Sequence, residues 1–226
     1  MEQLPRTSTN PSLAALLVAI VDQDGSASHS YCAPAINGDR HAFVRDLVDF
    51  ADFVHLVTLL HGQTPGLIDH AAARTVEVVA RGWLLKAIDA FAAERQYLNR
   101  LSVAVGPLPS TIGHSETSTI VAQQRHAIEM LAQSDRRGTA LGTALTLVLE
   151  WQAIRAVLDA GAIRLGIEPP SSGMPSRSET LALLADLPEP ERLTRAVQFG
   201  ATQLLGQHRG MWDLLKARTA VRQTQN

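Results

Sequence analysis

Residues 134–165 read SDRRGTALGTALTLVLEWQAIRAVLDAGAIRL, and the fold turns on how that stretch is divided. Apolar residues recur at helical spacing from Gly138 to Leu165. The connector before them, SDRRG, is short enough to imply a reversal of direction. The spacing therefore predicts a long helix antiparallel to the preceding one, Ser115 to Ser134, for which Ser115 is a suitable N-cap. Counting equal numbers of residues outward from the turn brings Gln124 and Arg125 level with Glu150. With about 100° per residue, Glu150 projects beside Thr143, Leu147, Ile154, Val157 and Gly161, while Gln152, Arg155 and Asp159 gather opposite.

Outward from this hairpin the other segments read the same way. Helical spacing covers His41 to Leu60, and HGQTPG then breaks the chain before a longer helix from about Leu67 to Val105, with Arg81-Gly82 as a point of kinking. A short helix follows Asn10 and Pro11, which stand where an N-cap and a first-turn proline belong. The turn-rich stretch Asp22 to Asp39 and the segment Glu168 to Ser176 are loops. A short helix at SETLALLADL and a last one from Glu189 toward Arg222 complete the chain. The expected fold is all-α: an up-and-down bundle of four long helices in a single domain, 1–226. Its core spans about 39–165, with flanking N- and C-terminal helices, the latter at about 177–222.

Composition narrows the function classes. A chain of 226 residues that is 46% hydrophobic and 4% aromatic is long enough to bury a sizeable core. Its 20 basic and 22 acidic residues are dispersed and sum to −2, which leaves no electrostatic footprint for nucleic acid. A single cysteine, Cys32, excludes an intramolecular disulfide and any multi-cysteine metal site, and fits a reducing cytoplasm. The longest uncharged stretch of the fourth helix, Gly138 to Leu149, falls short of the roughly 20 residues a bilayer requires, so no membrane span is expected. The run SLAALLVAIV resembles a signal-peptide core. However, Glu2 precedes it and only Arg6 is basic, so it is read as an ordinary helix of a cytoplasmic protein.

The stretch FAAERQYLNR, residues 91–100, holds the most informative acid. On the long second helix Glu94 falls within roughly 40° of Val76, Ala80, Trp83, Ala87, Leu98, Leu101 and Val105, whereas Arg81, Arg95, Asn99 and Arg100 project away. Glu94 and Glu150 thus both face inward, and burying an unpaired carboxylate costs several kcal/mol or forces it to take up a proton. One answer is a buried polar cluster of Glu94, Glu150, Gln124 and Tyr97, with donors drawn from Arg125, Arg137, Thr143, Thr146 and Gln124. The other is a metal, for which HAIE (His126, Glu129) and DFVH (Asp52, His55) offer chelating pairs.

Inward glutamates on different helices of a bundle resemble the ferritin-like carboxylate proteins. That resemblance implies iron or manganese held by Glu94, Glu150, His126 and Glu129, and metal-dependent oxidoreductase chemistry. The sequence departs from the pattern where Glu-x-x-His motifs are wanted: Tyr97 and Ala153 stand in place of the histidines. His126 and Glu129 also project away from the arc of Ile120, Val121, Ala127, Ile128 and Leu131, and Asp52 and His55 lie toward the edge marked by Arg45 and Asp49. The block running from AVGPLPSTIGH to TALTLVLEW is in turn similar to an uncharacterised alphaproteobacterial protein family, which implies a bacterial source and no particular activity.

Other segments carry less. The loop GPLPSTIGHSE places Ser110 and His114 near a helix start, with no nucleophile-elbow sequence around them. No phosphate-loop or dinucleotide fingerprint is present. Gly142, Ala153, Ala156 and Ala160 form a stripe of small residues that suits close packing within the chain or a homodimer seam. The last helix carries an apolar stripe that includes His208 and Trp212. Two readings of function remain. One is a non-enzymatic helical protein without cofactor that binds a small molecule or a partner. The other is the metal-dependent oxidoreductase.

Overall fold

The computed structural model describes residues 11–37, 46–110, 114–188 and 190–224. Its elements are helices α1 (Leu13–Asp24), α2 (Ala33–Ile36), α3 (Leu47–His61), α4 (Leu67–Arg74), α5 (Arg81–Ala104), α6 (His114–Ala132), α7 (Thr139–Arg164), α8 (Arg177–Asp186) and α9 (Glu191–Gln223). Two 3₁₀ turns, Ser26–Ser28 and Val78–Ala80, join them, and no strand occurs among the described residues. The fold is all-α, a helical bundle.

The organising element is α7. Every residue from Thr139 to Trp151 is buried, as expected of a helix that is apolar all round. By length and composition α7 is capable of crossing a membrane, contrary to the sequence expectation, because the charges of Glu150 and Arg155 do not interrupt its apolar window. That window, however, is mostly enclosed by the rest of the chain. Helices α1, α4, α6 and α9 pack around it, α9 most extensively. One cluster of buried side chains runs from Leu13 on α1 to Leu215 on α9, so the terminal helices belong to the core rather than flanking it.

The crossing of α7 and α9 shows what the small residues do. A Cβ on Gly142 would run into the Val197 carbonyl and lie 2.6 Å from Val197 Cα, and one on Gly200 would lie 2.8 Å from Thr143 Oγ1. The glycines thus bring two helix backbones together within one chain. At the start of α7, Gly138 adopts φ +95°, a conformation glycine takes without a Cβ penalty.

Three expectations are corrected. The segment Leu67–Val105 is two helices: the chain leaves α4 at Thr75 in an extended conformation and runs through VEVVA before α5 begins. β-branched residues are poor helix formers, and the break lets Glu77 turn inward to Arg137 while Val76 is left exposed. The first helix is capped by Ser12, whose Oγ accepts from Ala15 N–H; Asn10 lies outside the described residues, as do Arg45 and the chain between 38 and 44. Finally, α6 packs against α7 and also against α9. Gln124 points its amide to the Gln207 carbonyl of α9 at 3.2 Å rather than to Glu150.

Candidate ligand-binding site

Near its C-terminus α7 stops at Gly166, φ +71°, and Ile167 N–H bonds back to the Ala162 carbonyl at 2.9 Å. This is a Schellman closure, and it sends residues 168–176 back along α7 toward α5. The segment is tied down at three points. Arg155 Nη2 donates to the Pro170 carbonyl, Ser172 Oγ donates to Glu94 Oε1 at 2.8 Å, and Gly173 passes over Ala90. It then enters α8 through a capping box, Ser176 Oγ accepting from Glu179 N–H and Glu179 Oε2 accepting from Ser176 N–H.

Beneath this strap lies the ion pair that explains Glu94. The residue is 2% exposed, and both its oxygens accept from Arg155 Nη1, at 2.7 and 2.9 Å. Arg155 also donates through Nε to Asp159 Oδ1 at 2.6 Å and lies 4.5 Å over the Tyr97 ring. Tyr97 donates its hydroxyl to the same Oδ1 at 2.9 Å, and burial is the first cause that raises its phenol pKa. Between α7 and the strap is a cavity of about 280 Å³, lined among others by Trp151, Arg155, Ala156, Asp159, Ser172 and Met174. Two of its lining residues have polar atoms without a protein partner. Among the described residues the enclosed Trp151 indole N–H has no acceptor, and the part-exposed Asp159 receives both its donors on one oxygen.

Behind Trp151 lies a second polar centre. Glu150 Oε1 accepts from Ser26 N–H at 2.7 Å and from Ser26 Oγ, which in turn accepts from Trp212 Nε1 at 2.7 Å. His208 Nδ1 stands 3.5 Å from the same oxygen, within ion-pair range but without hydrogen-bond alignment, and His208 Nε2 meets His61 Nε2 at 2.9 Å. A carboxylate facing Nδ1 favours the Nδ1–H tautomer of His208, which leaves its Nε2 to accept from His61. His61 stacks edge-on against Trp151 and Phe91. Enclosure, and then the neighbouring His208, push its pKa well below the ordinary imidazole value. It is therefore a neutral donor.

A third centre closes the far end of α9. Asp52, wholly buried, takes Arg218 Nε and Nη2 at 2.8 and 2.9 Å and also Arg222, while Asp49 takes Arg222 and Thr219.

The sequence candidates thus separate. Glu94 and Tyr97 belong together through Arg155. Glu150 belongs to a different centre, with Ser26 and His208, and Gln124 to neither. His126 is exposed, and Glu129 pairs with Arg125 one turn away. Asp52, expected near a polar edge, is inside because Arg218 and Arg222 reach it from α9. His55 meets the Gly106 carbonyl at 2.8 Å. The suggested donors are engaged elsewhere: Arg137 with Glu77, and Thr143 and Thr146 with carbonyls of their own helix. Among the described residues no three His, Cys, Asp or Glu side chains stand close enough to hold a metal, so Glu94, Glu150, His126 and Glu129 do not fit an iron or manganese centre. Sequence reading missed Ser26, His61, Arg155 and the strap. The signals for the second centre were the inward Glu150 and His208 within the apolar stripe of the last helix.

Residues 21–223 match the family described as Family of unknown function (DUF6975), and the chain belongs to it. No curated protein and no solved structure matches the chain.

Proposed function

We propose that this member of the Family of unknown function (DUF6975) is a non-enzymatic binding protein, and that its ligand is a small planar molecule lying between α7 and the 168–176 strap. One observation carries the reading: Trp151, which lines the cavity, keeps an enclosed indole N–H without an acceptor among the described residues. A buried donor left unmade costs about 1–3 kcal/mol, which a ligand acceptor recovers. Asp159, with an oxygen that no described donor occupies, supports a ligand that also donates. Trp151, Ala156 and Met174 supply apolar walls. At about 280 Å³ the space lies at the small end of ligand pockets, which suits a one- or two-ring heteroaromatic with adjacent donor and acceptor. Binding is favoured over catalysis because Glu94 and Asp159 are both held by Arg155. In the ferritin-like bundles that the sequence resembles, inward carboxylates hold metal; here an arginine takes that place at Glu94. The reading keeps the bacterial, cytoplasmic setting expected from the sequence.

The test follows the indole N–H resonances of ¹⁵N-labelled protein during titration with heteroaromatic fragments such as aminopyridines and purines. Trp83 and Trp212 donate to Thr180 and Ser26 and serve as internal references. Fragments of this class should move the Trp151 signal selectively, and Ala156→Leu, which fills the cavity, should abolish the response. No selective shift of Trp151 by any fragment overturns the reading.

A further inference from the structure

The hydrogen bonds around the strap cavity leave an unequal remainder. Arg155 is the one cation among the described lining residues, and each of its three guanidinium nitrogens is engaged: Nη1 by Glu94, Nη2 by the Pro170 carbonyl and Nε by Asp159. The hydroxyls serve the same two acids, Ser172 donating to Glu94 and Tyr97 to Asp159. Two carboxylates thus share one guanidinium, and the group holds one negative charge more than it holds positive. What remains for a ligand is the second oxygen of Asp159, whose side chain is 33% exposed, and the Trp151 N–H, on a residue only 1% exposed.

We propose that the ligand is an amino-substituted heteroaromatic base bound as its ring-protonated cation, so that binding takes up a proton near neutral pH and above. This deepens the binding reading above and rests on it. An anionic ligand would find no cation free to meet it and would face the charge of Asp159. A neutral one would take water from that charge without compensating it, and desolvating an unpaired charge is costly. A ring nitrogen beside an amino group becomes, on protonation, a pair of adjacent N–H donors that carry the positive charge. A charge-assisted bond of this kind is about twice as strong as a neutral one, and the nearby carboxylate favours the protonated ring. The ring nitrogen takes its proton from solvent, and no other covalent bond forms or breaks. A remaining ring acceptor receives the Trp151 N–H. The other ionisable groups around Asp159 are Arg155 on α7 and Glu94 and Tyr97 on α5, while the strap lines the cavity with Ser172 and Met174. Burial raises the Tyr97 phenol and lowers His61, which lies behind Trp151, so neither titrates between about pH 7 and about pH 8.5.

Titration of the ¹⁵N-labelled full chain with 2,4-diaminopyrimidine and with uracil, followed at the Trp151 indole N–H across that pH range, tests this. Both probes are single six-membered rings with adjacent donors and acceptors, but only the first is a base. The parent should bind 2,4-diaminopyrimidine more tightly than uracil, and the affinity for the base should fall about tenfold from the neutral to the alkaline end as its free form loses the proton. Calorimetry in two buffers of different ionisation heat should register uptake of about one proton per ligand at the alkaline end. Asp159→Asn keeps the size of the residue and an acceptor for Arg155. It should leave helicity unchanged, weaken 2,4-diaminopyrimidine by about tenfold or more, and abolish both the preference over uracil and the proton uptake. Uracil bound by the parent as tightly as the base, an affinity flat with pH, or a preference that survives Asp159→Asn each overturns the cation and leaves the binding reading standing. A Trp151 signal moved by neither probe overturns both.

Discussion

Arg155 Nη1 donates to both carboxylate oxygens of Glu94, joining α7 to α5 across 61 residues of chain. The pair is buried, and its other contacts, Asp159, Ser172 and the Pro170 carbonyl, make it the anchor of the strap as well as a link between helices.

Glu94→Gln keeps the volume and removes the charge, leaving the Arg155 guanidinium with Asp159 alone. Breaking a buried pair from one side costs about 3–5 kcal/mol, and the lower end applies here because that counter-charge remains. Urea unfolding should show the loss, and Glu94→Leu combined with Arg155→Leu should recover part of it. A single variant within about 0.5 kcal/mol of the parent, the usual range of surface changes, means that the pair does not hold the fold.

His61 makes stability depend on pH. Its folded pKa is depressed, so the unfolded chain binds the extra proton. The stabilisation is complete above the unfolded value of about 6.5 and is lost as pH falls below it toward the folded value. The expected slope is up to about 1.4 kcal/mol per pH unit for this one group. His61→Phe retains an aromatic ring against Trp151 and should flatten the curve below pH ~6.5 relative to the parent. Parallel curves would remove His61 as the cause.

The two glycines Gly142 and Gly206 should answer oppositely to alanine. At Gly142 the new methyl meets the α9 backbone, and overpacking of this kind costs about 1–3 kcal/mol. At Gly206, inside α9, nothing lies within 4 Å, and alanine should raise stability by about 0.5–1 kcal/mol. Thermal unfolding distinguishes them; a destabilising Gly206→Ala would contradict the open surface assigned to that side of α9.

Cys32 should be inert in the native protein. Its thiol is enclosed beneath the 3₁₀ turn, and burial, followed by the nearby Glu150, pushes its pKa up to about 12. Since the thiolate is the reactive form, iodoacetamide at mildly alkaline pH should label the chain only as fast as it unfolds. Rapid labelling of folded protein would place the thiol at the surface.

Much of the architecture was legible because helical periodicity is local. The limits of α7 and its N-terminal glycine followed from spacing and turn chemistry, and so did the inward direction of Glu94 and Glu150. The break after Arg74 was not read from the sequence: the apolar rhythm continues through VEVVA, and the contact of Glu77 with Arg137 adds a tertiary reason to the weak helix preference of its valines. Arg155 was placed on an outer face by a projection that assumes one face in water. α7 has no such face over much of its length, because α1, α4, α6 and α9 surround it.

The sequence by itself thus determined an all-helical chain, the α6–α7 hairpin and two acids that require partners, since burial of an acid follows from its neighbours on one helix. Only the tertiary structure decided which partners. Arg155 and Ser172 serve Glu94, Ser26 and His208 serve Glu150, and Arg218 and Arg222 serve Asp52. The physical reason is one of range. A helical period is set by residues three and four apart, whereas a buried charge is satisfied by whichever long side chain or loop the packing of distant helices brings within about 3 Å.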